Sequence, residues 1–565
     1  MLAINVENEI SEIYNDTCSV NNSSSDSITS IELSFQDRLA SCIIENNFSH
    51  VEGNNLLSLL RTHPCFHNLP KDVRTLLKTP RNKVVVSKME PGEYIHFDLE
   101  IGICNVLSHF PIKSLPSQLN IDFNTDGCYL DRSGSIHIWP IQCRIVNVKH
   151  TKPIVVGIYK GISKPNDPNL FFEKFIADIK RIMSNGGVSY NDNKFPIYLR
   201  SFIADAPARA FILNHRSHTS NKPCSKCKIS GIRHEGRYVF RGVNHTLRTD
   251  EEYVACLNDD HHKNGNSPLS MLPIGMVSQI PFEYMHLVCL GVMKKLLSAW
   301  VFGKYSRFSK LSARAITCIS KRLEILKDYC PSDFARRPRS LDVCMKYKAT
   351  EFRQFLLYTG PVVTYGIVRQ EVYIHFLMLH AAVRILTYAS PSEAYLNFAA
   401  HALKKFVIKS ENLYGSTFNS YNVHGLIHLT NDVRRLGPLD SFSAFPYENN
   451  MTLFRKLCRK PGLPLQQIFN RMAEIEAHQE VIDHCNIDSS VNVLIEHNAG
   501  PLPHNITFNP RQYRKINFNG ILLTSDTRDN CCILHDGSIC IVTNIFMANG
   551  SYYLVVKNFL QIHDF

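Results

Sequence analysis

The sequence lacks three features that would point to secretion or to a membrane. It shows no apolar run that we interpret as long enough to span a bilayer, and its start lacks the basic-then-apolar pattern of a secretion signal. Its 18 cysteines follow no regular framework spacing. We therefore expect reduced thiols and a single metal site rather than a disulfide scaffold.

The composition is that of a soluble globular protein with several domains. Hydrophobic residues make up 44% and charged residues 20% of the chain, which are ordinary globular values. A chain of 565 residues exceeds what one hydrophobic core usually organises, so about two to four domains are expected.

Charge is distributed unevenly along the chain. Residues 1–50 contain eight acidic residues and one basic residue (net −7), whereas residues 284–360 contain fifteen basic and five acidic residues (net +10). A basic segment of that size attracts a polyanion such as nucleic acid. The same charges also suit the solvated faces of ordinary helices, so composition alone leaves both interpretations open.

The pattern that begins near residue 118 indicates an α/β domain. Three apolar stretches separated by turns predict strands: LNIDFNTDGCYL, SIHIWPIQCRIVNV and PIVVGIYKG. An apolar stripe over residues 169–184 predicts a helix, and FPIYLRSFIAD predicts a further buried strand. Three strands, a helix and another strand form the opening of a ribonuclease-H-like fold.

Changes in pattern along the chain predict six segments with distinct structure. Helical periodicity dominates between about 230 and 440, and strand-like alternation dominates the last fifty residues. The segments are a disordered acidic leader (1–30), a helical N-terminal region (31–110), the first part of a ribonuclease-H-like core (111–228), a helical insertion (229–440), the second part of the core (441–500) and a β-rich C-terminal region (501–565).

Two aspartates lie at the ends of predicted strands in the α/β domain. Asp126 precedes a glycine after the first strand, and Asp205 ends the buried fourth strand. An acid at such a position is costly to bury unless it is solvated, paired or bound to a metal. Local roles are also possible, because Asp126 suits a hairpin turn and Asp205 suits a helix N-cap. Neighbouring alternatives to the first acid are Asp122 and Asp131.

A Cys-x-x-Cys pair and a His-x-x-x-His pair are candidate metal ligands. Cys224 and Cys227 have the spacing of half a zinc site. His424 and His428 are four apart, so both rings would face one side of a helix. The four would make a closed tetrahedral structural site, whereas two ordinary helical histidines are the alternative. A rival cluster, whose spacing fits no common motif, consists of Cys256, His261 and His262.

A third candidate acid lies at the start of a predicted helix. Glu448 follows Phe445-Pro446 and precedes a basic helical face. The helix dipole favours a carboxylate at this end, which is a sufficient local reason for its presence. Near two other acids, the same carboxylate would complete a cation site. Glu283, in PFEYMHLVCLGV, is the competing candidate.

Five motifs in order resemble the Tnp2-like transposases of CACTA-type elements and related transposon-derived proteins. They are LNIDFNTDGCYL with IWPI, SFIADAPARAF with CSKC, PFEYMHLVCLGVMKKLL, KYKATEFRQFLLYTGP and FPYENNMTLFRKL. The similarity runs from about residue 65 to the C-terminal β segment. The family is similar in layout to the catalytic subunit of the V(D)J recombinase, in which a helical insertion separates two aspartates of a ribonuclease-H fold from a final glutamate.

The resemblance implies specific roles for seven residues. It implies that Asp126, Asp205 and Glu448 are catalytic acids that hold two Mg²⁺ or Mn²⁺ ions. Cys224 lies 19 residues after Asp205, and Glu448 lies 20 residues after His428, in the order of that layout. By the same resemblance, a single structural zinc ion would be bound by Cys224, Cys227, His424 and His428.

The resemblance further implies a metal-dependent enzyme that cleaves and joins DNA strands, works as a homodimer and acts in the nucleus, with no membrane role. Basic residues of the insertion and of the last core helix would grip phosphates without reading bases. They are Lys294, Lys295, Lys304, Arg307, Lys310, Arg314, Arg336, Arg337, Arg339, Arg455 and Lys456.

Two departures from the family pattern leave alternatives open. The family commonly has Asp where this chain has Glu283, and no N-terminal zinc finger or helix-turn-helix module is recognisable. One alternative is therefore a domesticated DNA- or chromatin-binding protein without catalysis. Another is a cytosolic, zinc-stabilised interaction scaffold with no role on nucleic acid.

Overall fold

The computed structural model is a mixed α/β structure made of two compact units. It describes residues 2–5, 34–131, 134–149, 151–258, 260–263, 265–460, 462–479, 492–503, 506, 509–518, 521–534 and 536–559. The larger unit comprises residues 40–319 and 341–480, and the smaller comprises residues 1–39, 320–340 and 481–565.

The strands are numbered in chain order. They are β1 (Leu2–Asn5), β2 (Ser87–Met89), β3 (Gly92–His96), β4 (Leu119–Thr125), β5 (Cys128–Tyr129), β6 (His137–Ile145), β7 (Ile154–Gly161), β8 (Val188–Tyr190), β9 (Asn193–Phe195), β10 (Ile197–Ile203), β11 (Ile232–His234), β12 (Arg237–Val239), β13 (Asn492–His497), β14 (Arg511–Phe518), β15 (Ile521–Thr524), β16 (Cys531–Ile533), β17 (Ile539–Ala548) and β18 (Ser551–Asn558).

The α-helices are numbered in the same way, and π-helical turns at Met285–Met293 and Phe355–Thr359 adjoin three of them. The α-helices are α1 (Phe35–Glu45), α2 (His50–Leu60), α3 (Val73–Leu76), α4 (Leu99–Leu107), α5 (Pro168–Ser184), α6 (Ala206–Ile212), α7 (Asp250–Val254), α8 (Lys294–Phe302), α9 (Ala313–Leu326), α10 (Ala349–Gln354), α11 (Gly360–Thr364), α12 (Gln370–Leu386), α13 (Glu393–Tyr414), α14 (Tyr421–Gly425), α15 (Leu429–Leu436), α16 (Phe445–Leu457) and α17 (Pro464–Glu476).

A mixed sheet organises the larger unit. Its strand order is β10-β4-β6-β7-β3-β2, with β5 paired to β6. The pairing of β4 with β10 is parallel, with Ile203 opposite Asn124, and the other pairs are antiparallel. The predicted strands and the helix over residues 169–184 are present, so this part of the α/β prediction is confirmed.

Helices cover both faces of this sheet. On one face, the apolar stripe of α5 packs on β4 and β10, and the rings of Phe123 and Phe175 meet edge to face at 4.9 Å. On the other face, α16 and α17 bury Met451, Phe454 and Ile468 against strands β3, β6 and β7. Apolar packing against helices therefore stabilises both faces of the sheet.

The region between residues 229 and 440 is less uniformly helical than predicted. Its longer helical segments begin only at Met285, and the preceding stretch holds a β11–β12 hairpin, the short helix α7 and extended loops. Residues 320–340 belong to the smaller unit rather than to one continuous insertion. Periodicity identified the long helices α12 and α13 but said little about this polar stretch.

The smaller unit contains a seven-stranded antiparallel sheet. Its order is β1-β18-β17-β14-β13, with β15 on β14 and β16 on β17. The described part of the predicted disordered leader is a strand, since Leu2–Asn5 pairs with β18; residues 6–33 lie outside the described residues. The sheet also begins before residue 501, because β13 (Asn492–His497) pairs with β14.

One helical segment corrects the expectation that no apolar run is long enough to span a bilayer. Met285–Phe302 is 18 residues long and apolar enough by length and composition. The structure buries 67% of that stretch inside the protein. A buried core helix passes the same test of composition.

Asp122, the neighbouring alternative to Asp126, has a structural role. It is 1% exposed and accepts hydrogen bonds from Ser201 Oγ (2.7 Å) and from the Arg200 guanidinium, whose Nε lies 2.9 Å away. Arg200 also donates to the carbonyls of Leu436 and Ser441 at 2.8 Å. This ion pair therefore ties the sheet to the loop before α16.

Asp122→Ala should lower the free energy of unfolding by about 3–5 kcal/mol, because it leaves the Arg200 charge without its buried partner. Urea denaturation followed by circular dichroism measures this. The exposed control Glu173→Ala should change stability by no more than about 0.5 kcal/mol. Equal effects of both substitutions would contradict a structural role for Asp122.

Candidate active site and metal centre

The parallel pairing of β4 and β10 places two acids at the same edge of the sheet. Asp126 directly follows β4, and its Oδ1 accepts the backbone N–H of Gly127 at 2.6 Å. Asp205 follows β10 and caps α6, because its Oδ1 accepts the N–H of Ala208 at 2.7 Å. The predicted N-cap role and the predicted position beside Asp126 are therefore both present.

Glu448 lies near the same edge of the sheet, on helix α16, which packs on the face opposite to α5. It lies in the first turn of α16, and its Oε1 is 3.7 Å from Nε2 of His286. The same His286 nitrogen lies 3.8 Å from Oδ2 of Asp126. Ligand atoms of Asp126, Asp205 and His286 all lie within 4.8 Å of one another. Glu448 is thus near the imidazole, but among the described residues it is not a member of the group whose ligand atoms lie within 4.8 Å of one another.

The acids and the imidazole of this site shift one another's pKa. Burial, the Asp205 carboxylate and, to a smaller extent, Glu448 raise the pKa of Asp126 well above its ordinary value. Burial alone would lower the pKa of His286, but Glu283, Asp126 and Asp205 raise it to about 10. Carboxylates this close ionise together only when positive charge lies between them. The donor set of hard oxygens suits Mg²⁺ or Mn²⁺.

The carboxylate of Glu283, the competing third acid, is occupied by hydrogen bonds from the protein, which argues against a role as a metal ligand. Its side chain is 1% exposed and accepts four hydrogen bonds from Met285 N, His286 N, His286 Nδ1 and Ala444 N. Although burial opposes its charge, these partners lower the pKa of Glu283 below its ordinary value. Of the two candidates, Glu448 is the one whose carboxylate lies near Nε2 of His286.

The four predicted zinc ligands form one buried cluster. Cys224 Sγ lies 3.6 Å from His428 Nε2, Cys227 Sγ lies 3.4 Å from His424 Nε2, and the two Nε2 atoms are 3.3 Å apart. A tetrahedral zinc ion with Zn–S of about 2.3 Å and Zn–N of about 2.0–2.1 Å requires N–N edges of about 3.3 Å and N–S edges of about 3.5 Å. The observed distances therefore fit such an ion.

The surroundings of this cluster orient its ligands. The N–H of Lys226 donates to Cys224 Sγ at 3.4 Å, and Arg248 Nε donates to the carbonyls of both cysteines at 3.1 Å. Burial opposes ionisation, yet a hydrogen bond with Cys227 and the nearby imidazoles lower the pKa of Cys224 well below its ordinary value. A thiolate is the form that binds a metal.

The rival cluster is not arranged as a metal site. His261 uses both ring nitrogens, with Lys222 O at 2.7 Å and Tyr253 OH at 3.1 Å. Cys256 Sγ donates to Asn266 Oδ1 at 2.8 Å. Among the described residues, Cys256, His261 and His262 do not bring their ligand atoms together as a metal group.

The predicted phosphate-binding residues divide into different environments. Lys295 is half-buried, and its ammonium lies 4.9 Å from the Tyr305 ring and 5.0 Å from the Phe418 ring. Burial lowers its pKa to about 7, so it is poorly suited to grip phosphate. Lys294 is half-buried. The exposed members of the larger unit are Lys304, Arg307, Lys310, Arg314, Arg455 and Lys456, and those of the smaller unit are Arg336, Arg337 and Arg339.

The sequence interpretation missed His286 and Lys226. His286 stands three positions after Glu283, so the Glu-x-x-His spacing on a helical segment was the available signal. Lys226 lies between the two cysteines; its Nζ donates to Asp432 Oδ1 at 2.7 Å and to Val277 O at 2.6 Å. From sequence alone, a lysine in that position is expected at the surface. The tertiary structure shows that it is paired with the buried Asp432.

Comparisons with known proteins concern the C-terminal part of the chain. A protein-family profile described as a domain of unknown function (DUF8592) matches residues 496–565. This range covers most of the β13–β18 sheet of the smaller unit. No curated protein matched the chain.

Purified wild-type protein should contain about one tightly bound metal ion per chain at the Cys/His cluster, measured by mass spectrometry of metal content. Cys227→Ser and His424→Ala should each lose it and unfold at a lower temperature, because an ion held by these four ligands would stabilise the folded state. Cys256→Ser, from the rival cluster, should retain it. Loss in the Cys256 variant, or retention in the other two, would contradict this assignment.

Proposed function

We propose that the protein is a DDE-type DNA transposase that cleaves and joins DNA strands with two divalent metal ions. The observation that supports this best is the convergence of Asp126, Asp205 and Glu448 from two parallel strand ends and one helix N-terminus. These three positions are the ones that the Tnp2-like resemblance implies. The fold alone would not select them from the 50 acidic residues of the chain.

A ribonuclease-H-like core is part of this proposal. The order of three strands, helix and parallel fourth strand supports it, as does the position of both aspartates at the ends of neighbouring strands. The helix with the third acid follows only after the long insertion, again in the expected order. Similarity of fold does not establish activity, so the proposed function rests mainly on the residues of the site.

Asp126, Asp205 and Glu448 would hold Mg²⁺ or Mn²⁺, which would activate the attacking oxygen and stabilise the leaving 3′ oxygen. The protein's own task is then positional. The strand ends carry the two aspartates, and the packing of α16 on the sheet holds the glutamate 3.7 Å from the imidazole beside them. His286 supplies a positive charge beside the place where a scissile phosphate would bring negative charge.

Zinc is the proposed ion of the Cys/His cluster, because two thiolates and two imidazoles at tetrahedral spacing are its usual ligands. Double-stranded DNA is the proposed partner, and exposed basic residues of the insertion and of α16 would contact its backbone. A homodimer and a nuclear location follow from the transposase proposal, since two element ends are cut together in the nucleus.

A second candidate function is DNA or chromatin binding without catalysis. The specific observation in its favour is the position of His286, at 3.7–3.8 Å from two of the acids. An imidazolium there neutralises part of the acidic cluster without any metal. A domesticated protein could therefore keep these acids for stability alone.

Wild-type protein should nick a supercoiled plasmid, and join ends of DNA taken from the flanks of its gene, when Mg²⁺ or Mn²⁺ is present. Asp205→Asn and Glu448→Gln should each reduce the rate at least about 100-fold, because each removes a metal ligand. Gel assays measure this, with the exposed control Glu371→Gln expected to match wild type. Metal-independent nicking, or binding without any cutting, would favour the second candidate function.

Phosphate contacts should appear in the salt dependence of DNA binding. Lys456→Ala should reduce the slope of log K against log salt by about 1, because one phosphate contact is lost. Lys295→Met should leave the slope unchanged, since its ammonium packs on Tyr305 and Phe418. Fluorescence anisotropy between low and physiological salt measures both. A salt-independent wild type would instead support the interaction scaffold.

A further inference from the structure

Glu283 connects two parts of the active site that are distant in sequence. Its Oε1 accepts the N–H of Met285 at 2.5 Å and the N–H of Ala444 at 2.9 Å. Its Oε2 accepts the N–H and Nδ1–H of His286, both at 2.7 Å. Every described polar contact of this side chain is thus to the segment that carries His286 or to Ala444, the N-cap residue of α16.

Helix capping explains only part of this arrangement. Hydrogen bonds from Met285 N and His286 N to this carboxylate are those of a cap on the helical run that starts at Tyr284. The bond from Ala444 N crosses 161 positions, and the ring bond fixes the orientation of His286. Ala444 is the N-cap residue of α16, and Glu448 lies one turn later. The same carboxylate therefore sets the start of the helix that bears the third acid.

We propose that Glu283 is a positioning residue, which fixes Glu448 and His286 relative to the two aspartates without binding the catalytic metal ions. The proposal rests on the metal-binding role assigned above to the three acids. It also explains why a glutamate is suitable here. Its two oxygens accept hydrogen bonds from both segments, so one buried carboxylate fixes the position of each segment relative to the other.

A buried ion pair anchors Glu283 to the Cys/His cluster. The N–H of Phe282 donates to Asp432 Oδ2 at 2.9 Å, and Lys226 Nζ donates to Asp432 Oδ1 at 2.7 Å. Lys226 lies between the two cysteine ligands, and Asp432 follows His428 by four positions in α15. These three residues are at most 5% exposed. Hydrogen bonds and covalent neighbours thus run without a break from the cluster to the catalytic acids.

Ala444→Pro tests this contact, because it removes the hydrogen-bond donor and puts the ring Cδ where the amide hydrogen faces Glu283, so the carboxylate must move away from the start of α16. Ala444 has φ −75°, which proline adopts, and the preceding Ser443 has ψ 150°, which suits a residue before proline. The matched control is Ser443→Ala, which removes the Phe445 N–H contact at the same helix start but does not touch Glu283. Glu283→Gln, of equal size, is the second variant.

The readout is Mn²⁺ affinity, measured on the zinc-loaded full chain by electron paramagnetic resonance and by the Mn²⁺-dependent rise in unfolding temperature. We expect Ala444→Pro and Glu283→Gln to weaken Mn²⁺ binding about 10–100-fold, as loss of a ligand-orienting contact does, with zinc content unchanged. Ser443→Ala should bind like wild type. A purely structural contact would lower the unfolding temperature without this loss of affinity.

Asp205→Asn separates the two ways in which this idea fails. If Asp205→Asn binds Mn²⁺ like wild type, the acids are not a metal site, and the proposed function fails first. If Asp205→Asn loses Mn²⁺ while Ala444→Pro and Glu283→Gln retain it, the metal site stands and the positioning role of Glu283 is overturned. Should Ala444→Pro not fold, Glu283→Gln decides the question on the same measurement.

Discussion

The parallel pairing of β4 with β10 is the constraint on which the rest of the site depends. Parallel strands end at the same edge, so the residues that follow them are brought together whatever lies between them in sequence. Asp126 and Asp205 are those residues here. The pairing is held by aromatic packing of α5 beneath it, with Phe172 and Phe202 edge to face at 5.7 Å. The apolar packing of α5 therefore stabilises a strand pairing that holds the two aspartates close together.

Bringing the third acid to that edge is a separate physical problem. Glu448 lies far along the chain from Asp205, and closing so long a loop costs entropy that grows only slowly with its length. Direction is the harder requirement, because a helix can approach an edge in many orientations. The described structure restricts it at several places: Tyr447 OH donates to Asp122 O at 3.4 Å, Asn450 donates to Gln142 at 2.8 Å, and α16 buries its apolar face on the sheet.

Sequence reasoning succeeded where a local pattern determines the structure. Alternation and an apolar stripe predicted β4, β6, β7, β10 and α5, and the spacing of CSKC and of the paired histidines predicted residues that the structure brings together. It failed where the partner is remote. Nothing local marks His286 as a neighbour of Asp126, and nothing local shows that Lys295 lies against aromatic rings rather than in solvent. Contacts across more than a hundred positions are set by tertiary packing, which a single sequence does not display.

The balance of charge around Asp126, Asp205 and Glu448 bears more directly than the fold on the choice between DNA cleavage and DNA binding without catalysis. Asp126, Asp205 and Glu448 lie around one imidazole whose charge is also paired with Glu283, and burial and the neighbouring acids raise the pKa of Asp126. A DNA phosphate placed beside it would add a further negative charge in a partly desolvated site, which is costly unless more positive charge arrives with it. One histidine cannot supply that charge. A protein that only binds DNA gains nothing by directing phosphate to this edge and would hold the backbone with exposed lysines and arginines instead. A protein that cuts DNA must bring phosphate to the acids, and divalent cations bound there would offset the negative charge.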